Sequence, residues 1–188
     1  MLDNLSLFID KSHGVTLFVL GLLALYFIAL NWVFFYRYFT LNSLISKETD
    51  SLNSLLIGSH SVNENSYLHT FIKTSANMNR EIFDLGNFSA TKEATKGLSL
   101  LSVVASTAPF IGLFGTVVSI LDTFSNIGHS SGTMSVIAAG VSDALIATAA
   151  GIFVAIFAYT FHQIMKRKAY DYSGLIKMQS DALLARLG

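Results

Sequence analysis

Three stretches of the chain are apolar over membrane-spanning lengths, and polar sequence separates them. Residues 15–36 carry no charge, and at 1.5 Å per residue this helix reaches about 33 Å, enough for a hydrocarbon core of about 30 Å. Its far end holds Trp32, Phe34, Phe35, Tyr36 and Tyr38 around Arg37, an aromatic belt with a cationic stop. The second stretch is residues 98–124. The third is residues 134–165, closed by Lys166, Arg167 and Lys168. Residues 125–133, with Gly128, Ser130, Ser131 and Gly132, read as a short turn. Residues 37–97 are polar and rich in Ser and Asn, without strand-like alternation. Leu52, Leu55 and Leu56, and again Ile82, Phe83 and Leu85, suit short amphipathic helices there. Beyond residue 165, Tyr172, Leu175, Ile176, Gln179, Leu183 and Leu187 recur at helical spacing. The third span is therefore expected to run on through 166–188 as one long helix, its stripe meeting a partner helix from another copy of the chain.

Charge gives these helices a direction. Residues 37–97 hold Arg37, Lys47, Lys73, Arg80, Lys92 and Lys96, and the tail holds Lys166, Arg167, Lys168, Lys177 and Arg186. The N-terminal segment 1–14 has Lys11 alone and the turn has no cation. The positive-inside rule then puts the N-terminus and turn outside, and the loop and tail in the cytoplasm. Asp3 and Asp10 before the first span are wrong for a secretion signal, so that span is expected to stay uncleaved. The expected fold is an all-α membrane protein with three transmembrane helices, the long third one extending into the cytoplasm, assembled as a homo-oligomeric ring.

Composition agrees and narrows the chemistry. Charged residues make up 13% of the 188, against about 25% in soluble domains, and mean hydropathy is +0.55. Between Lys96 and Lys166 the only charges are Asp122 and Asp143. Net charge is zero and no basic patch exists, so a nucleic-acid partner is not expected. The chain has no cysteine, and His13, His60, His69, His129 and His162 are too scattered to share a helix face, so no metal or cofactor is expected.

The second and third spans carry small residues at helical intervals: Ala108, Gly112, Gly115 and Ser119 on one, Gly140, Ala144, Ala147, Gly151 and Ala155 on the other. Helices in lipid associate by close packing, which small residues permit, so these are expected seams. The first span, rich in Leu, Phe and Tyr, lacks such a stripe and reads as lipid-facing. Pro109, the only proline, should free the carbonyl of Ala105 and kink the second span, with Ser106 or Thr107 satisfying the loosened groups. Asp143 lies about 13 Å inside the third span, where an acid is costly and marks a water pathway or polar interface. Asp122, near the outer end of the second span, is less telling. Thr148 and Asp143 flank the small stripe about 140° apart, and Thr116 brings a hydroxyl to comparable depth. Together they are candidate lining for a proton path.

The runs Ala105-Ser-Thr-Ala-Pro-Phe-Ile-Gly-Leu-Phe-Gly-Thr-Val117 and Gly140-Val-Ser-Asp-Ala-Leu-Ile-Ala-Thr-Ala-Ala-Gly151 resemble the TolQ/ExbB family of inner-membrane proton-channel proteins, more distantly the flagellar stator protein MotA. The resemblance implies a homo-pentamer whose second and third spans surround a pore. In that pore sits a dimer of a single-span TolR/ExbD-type partner bearing a membrane aspartate. Proton flow would turn one part against the other and deliver force to the periplasm, with a TolA/TonB-type protein as a further partner. It carries functional roles onto Thr116, Thr148 and Asp143, where the commoner family residue is Glu. The short external segment is closer to a TolQ type than to an ExbB type with a longer leader. A flagellar stator would need a fourth span. An intramembrane aspartyl protease would need Asp122 and Asp143 within a few ångströms, and they sit at different depths without a Gly-x-Gly-Asp motif. A non-conducting scaffold would leave Asp143 without a task.

Overall fold

The computed structural model describes residues 14–58, 62–74, 80–127 and 134–187, so most of the expected N-terminal segment and periplasmic turn lie outside the described residues. All regular structure among the described residues is helical. The helices are α1 (Gly14–Ile57), α2 (Tyr67–Thr74), α3 (Arg80–Ala94), α4 (Leu98–Ile127) and α5 (Met134–Leu187). Of these, α1, α4 and α5 are long and apolar enough to cross a membrane.

The sequence treats the residues after Tyr36 as a loop with short helices; instead α1 runs unbroken for 44 residues. No glycine or proline interrupts it between Gly21 and Gly58. It stops at Gly58, whose φ of 117° is open to glycine without strain. Leu52 and Leu55 are buried on this continuation, while Leu56 is exposed. Likewise α5 continues for 54 residues, as the tail periodicity requires.

The chain divides into two compact units, one from Met1–Trp32 with Leu100–Phe161, the other from Val33–Ser99 with His162–Gly188. In the first, Val19, Leu23 and Leu30 of α1, Leu101, Val104 and Ala108 of α4, and Ala144, Ala147 and Ala158 of α5 are buried. Only one side of the first span is free for the lipid-facing role expected of it. Phe18, Leu25, Ile28 and Trp32 are exposed, but Val19 packs onto Gly115 and Phe27 onto Phe153 and Phe157. α4 stays helical through Pro109. The expected repair at that position is different: Ser106 donates to the carbonyls of Ser102 and Val103, and Thr107 to that of Val103. Neither hydroxyl turns to Ala105, because a helical Ser or Thr reaches back to the preceding turn.

In the second unit the tail stripe is covered by the chain itself, correcting the expectation that it meets another copy. Tyr172, Ile176, Gln179 and Leu183 are buried. Gln179 Nε2 donates to the Glu48 carbonyl (3.1 Å) and carboxylate (2.8 Å), and Ser51 donates to Gln179 Oε1 (3.0 Å). Glu48 also accepts from Ser66 Oγ (2.8 Å) and caps α2 through the Tyr67 amide (2.7 Å). Buried Arg37 donates to the last carbonyls of α3, Glu93 (2.6 Å) and Ala94 (3.2 Å).

Candidate functional site

The candidate site lies on the facing surfaces of α4 and α5 in the first unit. Gly112 meets Gly151, and Thr123 meets Gly140, so the two helices run antiparallel. The approach is backbone to backbone. A Cβ at Gly112 would stand 2.7 Å from the Ala147 carbonyl oxygen, and one at Gly151 would stand 2.6 Å from that of Ala108. A Cβ at Gly140 would overlap the Thr123 side chain, and one at Gly115 would press on Val19 and Ala147 at 3.0 and 3.1 Å. Gly112, Gly115, Gly140 and Gly151 thus act as spacers of near-zero width, and Ala108, Ala144 and Ala147 fill the remaining line without exposure.

This closeness brings two hydroxyls together. Thr116 on α4 and Thr148 on α5 hydrogen-bond to each other across the seam. Thr116 Oγ1 lies 3.0 Å from the Ala144 carbonyl oxygen, and Thr148 Oγ1 lies 3.3 Å from that of Gly112. Each hydroxyl owns one proton and accepts through its oxygen. The pair therefore has two proton arrangements with the same heavy-atom positions. In one, Thr148 donates to Thr116 and Thr116 to Ala144. In the other, Thr116 donates to Thr148 and Thr148 to Gly112. Rotation of the two O–H groups interconverts them.

Asp143 stands apart from this pair. It precedes Ala144 on α5, is half-buried, and makes no hydrogen bond or ion pair among the described residues. Its flank position follows the helical angle, since Gly140, Ala144, Ala147 and Gly151 form the buried line while Asp143 and Thr148 border it. Asp122 is half-buried near the end of α4. Among the described residues no three His, Cys, Asp or Glu side chains gather as metal ligands.

Sequence reasoning had Thr116, Thr148, Asp143 and the spacers in view but did not pair the two threonines. The direct Thr–Thr bond depends on helix separation, which spacing alone does not give. Thr16 and Thr123 were missed altogether. Both are buried in the first unit, and Thr123 donates to the Ser119 carbonyl at 2.8 Å. A lone threonine in an apolar run carries no sequence signal, although Ser119 already lay on the small-residue stripe.

The model of the MotA/TolQ/ExbB proton channel family matches residues 63–178. The biopolymer transport protein ExbB-like 1 of Helicobacter pylori is 41% identical over 192 residues, covering 99% of this chain and 100% of the relative. ExbB of Neisseria gonorrhoeae is 48% identical over 73 residues, 38% of this chain and 33% of that protein. ExbB of Pseudomonas putida is 35% identical over 94 residues, 50% and 29% respectively. The family consists of channel and transport subunits rather than enzymes, which removes the aspartyl-protease alternative. With the family model matching well over half of the chain and a relative 41% identical along its full length, this protein belongs to the MotA/TolQ/ExbB proton channel family.

Proposed function

We propose that this chain is the proton-channel subunit of an inner-membrane motor that converts proton motive force into mechanical work on the periplasm. The observation that carries this reading is the Thr116–Thr148 pair. The two hydroxyls, anchored on the carbonyls of Ala144 and Gly112, can turn to donate to or accept from water or a partner carboxylate, which would carry the proton along the seam. Asp143, one residue from Ala144 and without a counter-ion among the described residues, supplies a negative potential beside that pair. In a membrane such a charge is expensive unless it borders water or a partner. The chain works as a homo-pentamer around a single-span ExbD/TolR-type dimer, whose own membrane carboxylate takes up and releases the proton. The likeness over the full length to ExbB-like biopolymer transport proteins favours energised import through a TonB-type protein over Tol–Pal envelope maintenance. The orientation is that of the Lys and Arg distribution, with α1 beginning in the periplasm and α5 ending in the cytoplasm.

The test is proton flux into liposomes holding the subunit with its single-span partner. Asp143→Asn keeps shape and hydrogen-bonding capacity but carries no charge at any pH, and Thr148→Val keeps shape but no hydroxyl. Both are expected to reduce flux at least tenfold while the partner still co-purifies, and Asp143→Glu and Thr148→Ser are expected to retain most of it. Undiminished flux in Asp143→Asn and Thr148→Val with the partner bound defeats the reading and leaves a scaffold.

A further inference from the structure

The second unit exposes large apolar side chains on two of its helices. On α3, Leu85 and Phe88 (70% exposed) face away from buried Phe83, Gly86 and Ala90. On α5, Met178 (55% exposed) faces away from buried Tyr172, Ile176 and Gln179. Met178 lies about 15 Å along the helix beyond Lys168, the last of the charges that close the third span, so lipid does not reach it. Residue numbers rise together on α1 and α5, because Asn42 bonds to Lys168, Glu48 to Gln179 and Leu55 to Arg186. Arg37, which holds the end of α3, therefore stands near the level of Lys168, whereas Asn87 bonds to Ser180 at 3.1 Å. α3 thus runs antiparallel to α5. Phe88 is level with Met178, and Lys92 comes within about one turn of Asp171. Charges flank the apolar residues, Asp84 and Lys92 on α3 and Lys177 and Asp171 on α5, and all four are exposed. None of the four is ion-paired within the chain among the described residues. Their order is reversed between the helices: going toward the spans, α3 has its acid first and α5 its base first. Farther from the spans, Asp181 shares its level with Arg80.

We infer that the outer face of α3 in one copy of this chain docks on the outer face of the α5 tail in the next copy. Phe88 and Leu85 then lie against Met178, with Lys92 against Asp171 and Asp84 against Lys177. Copies inserted the same way in one membrane, their α5 tails side by side, keep residues of one level opposite one another. At each level the apolar side chains meet, and opposite rather than like charges face across the contact. A partner with an unrelated sequence has no reason to repeat this level-by-level match. The two faces differ, so the contact is heterologous, and its repetition closes a ring. The stripe of α5 that α1 covers lies on the opposite side of the helix, so the tail serves the chain's own core and the docking together. This inference rests on the homo-oligomer and membrane topology of the proposed function and names the surface through which its copies meet.

The experiment uses the full chain in its membrane with the single-span partner present. No native cysteine interferes, so tagged Phe88→Cys and untagged Met178→Cys chains are co-expressed and oxidised with copper phenanthroline. A disulfide-linked dimer of one tagged and one untagged chain is expected, and neither variant expressed alone should give a dimer. Lys92→Glu added to the Phe88→Cys chain should lower the yield several-fold, and Asp171→Lys added to the Met178→Cys chain should restore it. Dimers from either cysteine variant alone show like faces meeting and overturn the docking. An intact ring by native mass spectrometry without the mixed dimer also overturns it, while the proposed function stands. Monomers alone remove the ring itself, and the proposed function falls with the docking. A yield unmoved by the charge reversal overturns the register in which the two faces meet.

Discussion

Replacing Gly151 with Ala should destabilise this protein, whereas the same change at Gly174 on the same helix should not. Alanine is the better helix former by about 0.5–1 kcal/mol, so propensity alone predicts a gain at both positions. At Gly174 nothing lies within 4 Å of the new methyl and the gain should appear. At Gly151 the methyl would sit 2.6 Å from the Ala108 carbonyl oxygen and 3.0 Å from Gly112 Cα. Both are backbone atoms that no rotamer change can move aside. Reaching an ordinary contact of about 3.4 Å requires α4 and α5 to part by about 0.8 Å there. Transmitted one turn along, that displacement stretches the 3.3 Å contact between Thr148 Oγ1 and the Gly112 oxygen to roughly 4.1 Å, beyond a hydrogen bond. Overpacking of this kind costs about 1–3 kcal/mol, which outweighs the propensity gain. Thermal unfolding in mild detergent should put Gly151→Ala several degrees below Gly174→Ala, at about 2–4 °C per kcal/mol. Gly112→Ala should behave as Gly151→Ala does. Equal or higher Tm for Gly151→Ala would mean that the seam is not close-packed, and the hydroxyl pairing that depends on it would fall too.

Arg37→Met should free the end of α3, because the buried guanidinium holds the carbonyls of Glu93 and Ala94. Losing these charge-assisted bonds costs about 1.5–3 kcal/mol, and hydrogen exchange should quicken at residues 94–98 while α2 is unchanged. Tyr172 has a buried phenol that makes no hydrogen bond among the described residues, and burial, helped by Glu48, raises its pKa above the ordinary 10.0. The native chain then holds that proton more tightly than the unfolded one, so the associated stability is present below pH 10 and is lost as pH climbs beyond it. Tyr172→Phe should cost little at neutral pH and flatten this alkaline decline, which Tm measured across pH 8–11 will show.

How much of this was legible depends on whether a residue's role is local. The spans and the seam could be read because charge depletion and small residues every fourth position are demanded by lipid and by close packing at each position separately. Gly112, Gly115, Gly140 and Gly151 were recognisable as spacers without knowing which helix they faced. The unbroken α1 was not foreseen, because a polar helix of residues 37–57 has no lipid constraint and looks like a loop with scattered leucines. Its helicity is held by partners far away in sequence. Glu48 shows this best: one acid in a polar stretch reads as solvated, yet it is buried by Gln179, which lies 131 residues later, and by the Tyr67 amide. The same covering explains the tail stripe, whose periodicity called for a partner without saying that the partner was the chain's own α1.

Close packing and the polar pair are one requirement seen twice. In lipid a helix seam gains little from excluding water, so its tightness must come from short backbone contacts, and glycine gives those at Gly112 and Gly151. At that separation any side chain longer than alanine is forced to the flank or must fit a fixed gap. Threonine is the residue that fits while bringing a hydroxyl, and Thr116 and Thr148 each find a carbonyl of the opposite helix at 3.0 and 3.3 Å. A wider seam would leave each hydroxyl bonded only to its own preceding turn, as Thr107 and Thr160 are, with no proton position shared between helices. Substituting the spacers therefore removes the cross-helix hydroxyl bond even though no hydroxyl has been touched. Substituting a threonine removes that bond while leaving the glycine spacing intact. The two kinds of variant should match in lost flux and differ in stability, and only a site in which spacing creates the polar chain predicts that split.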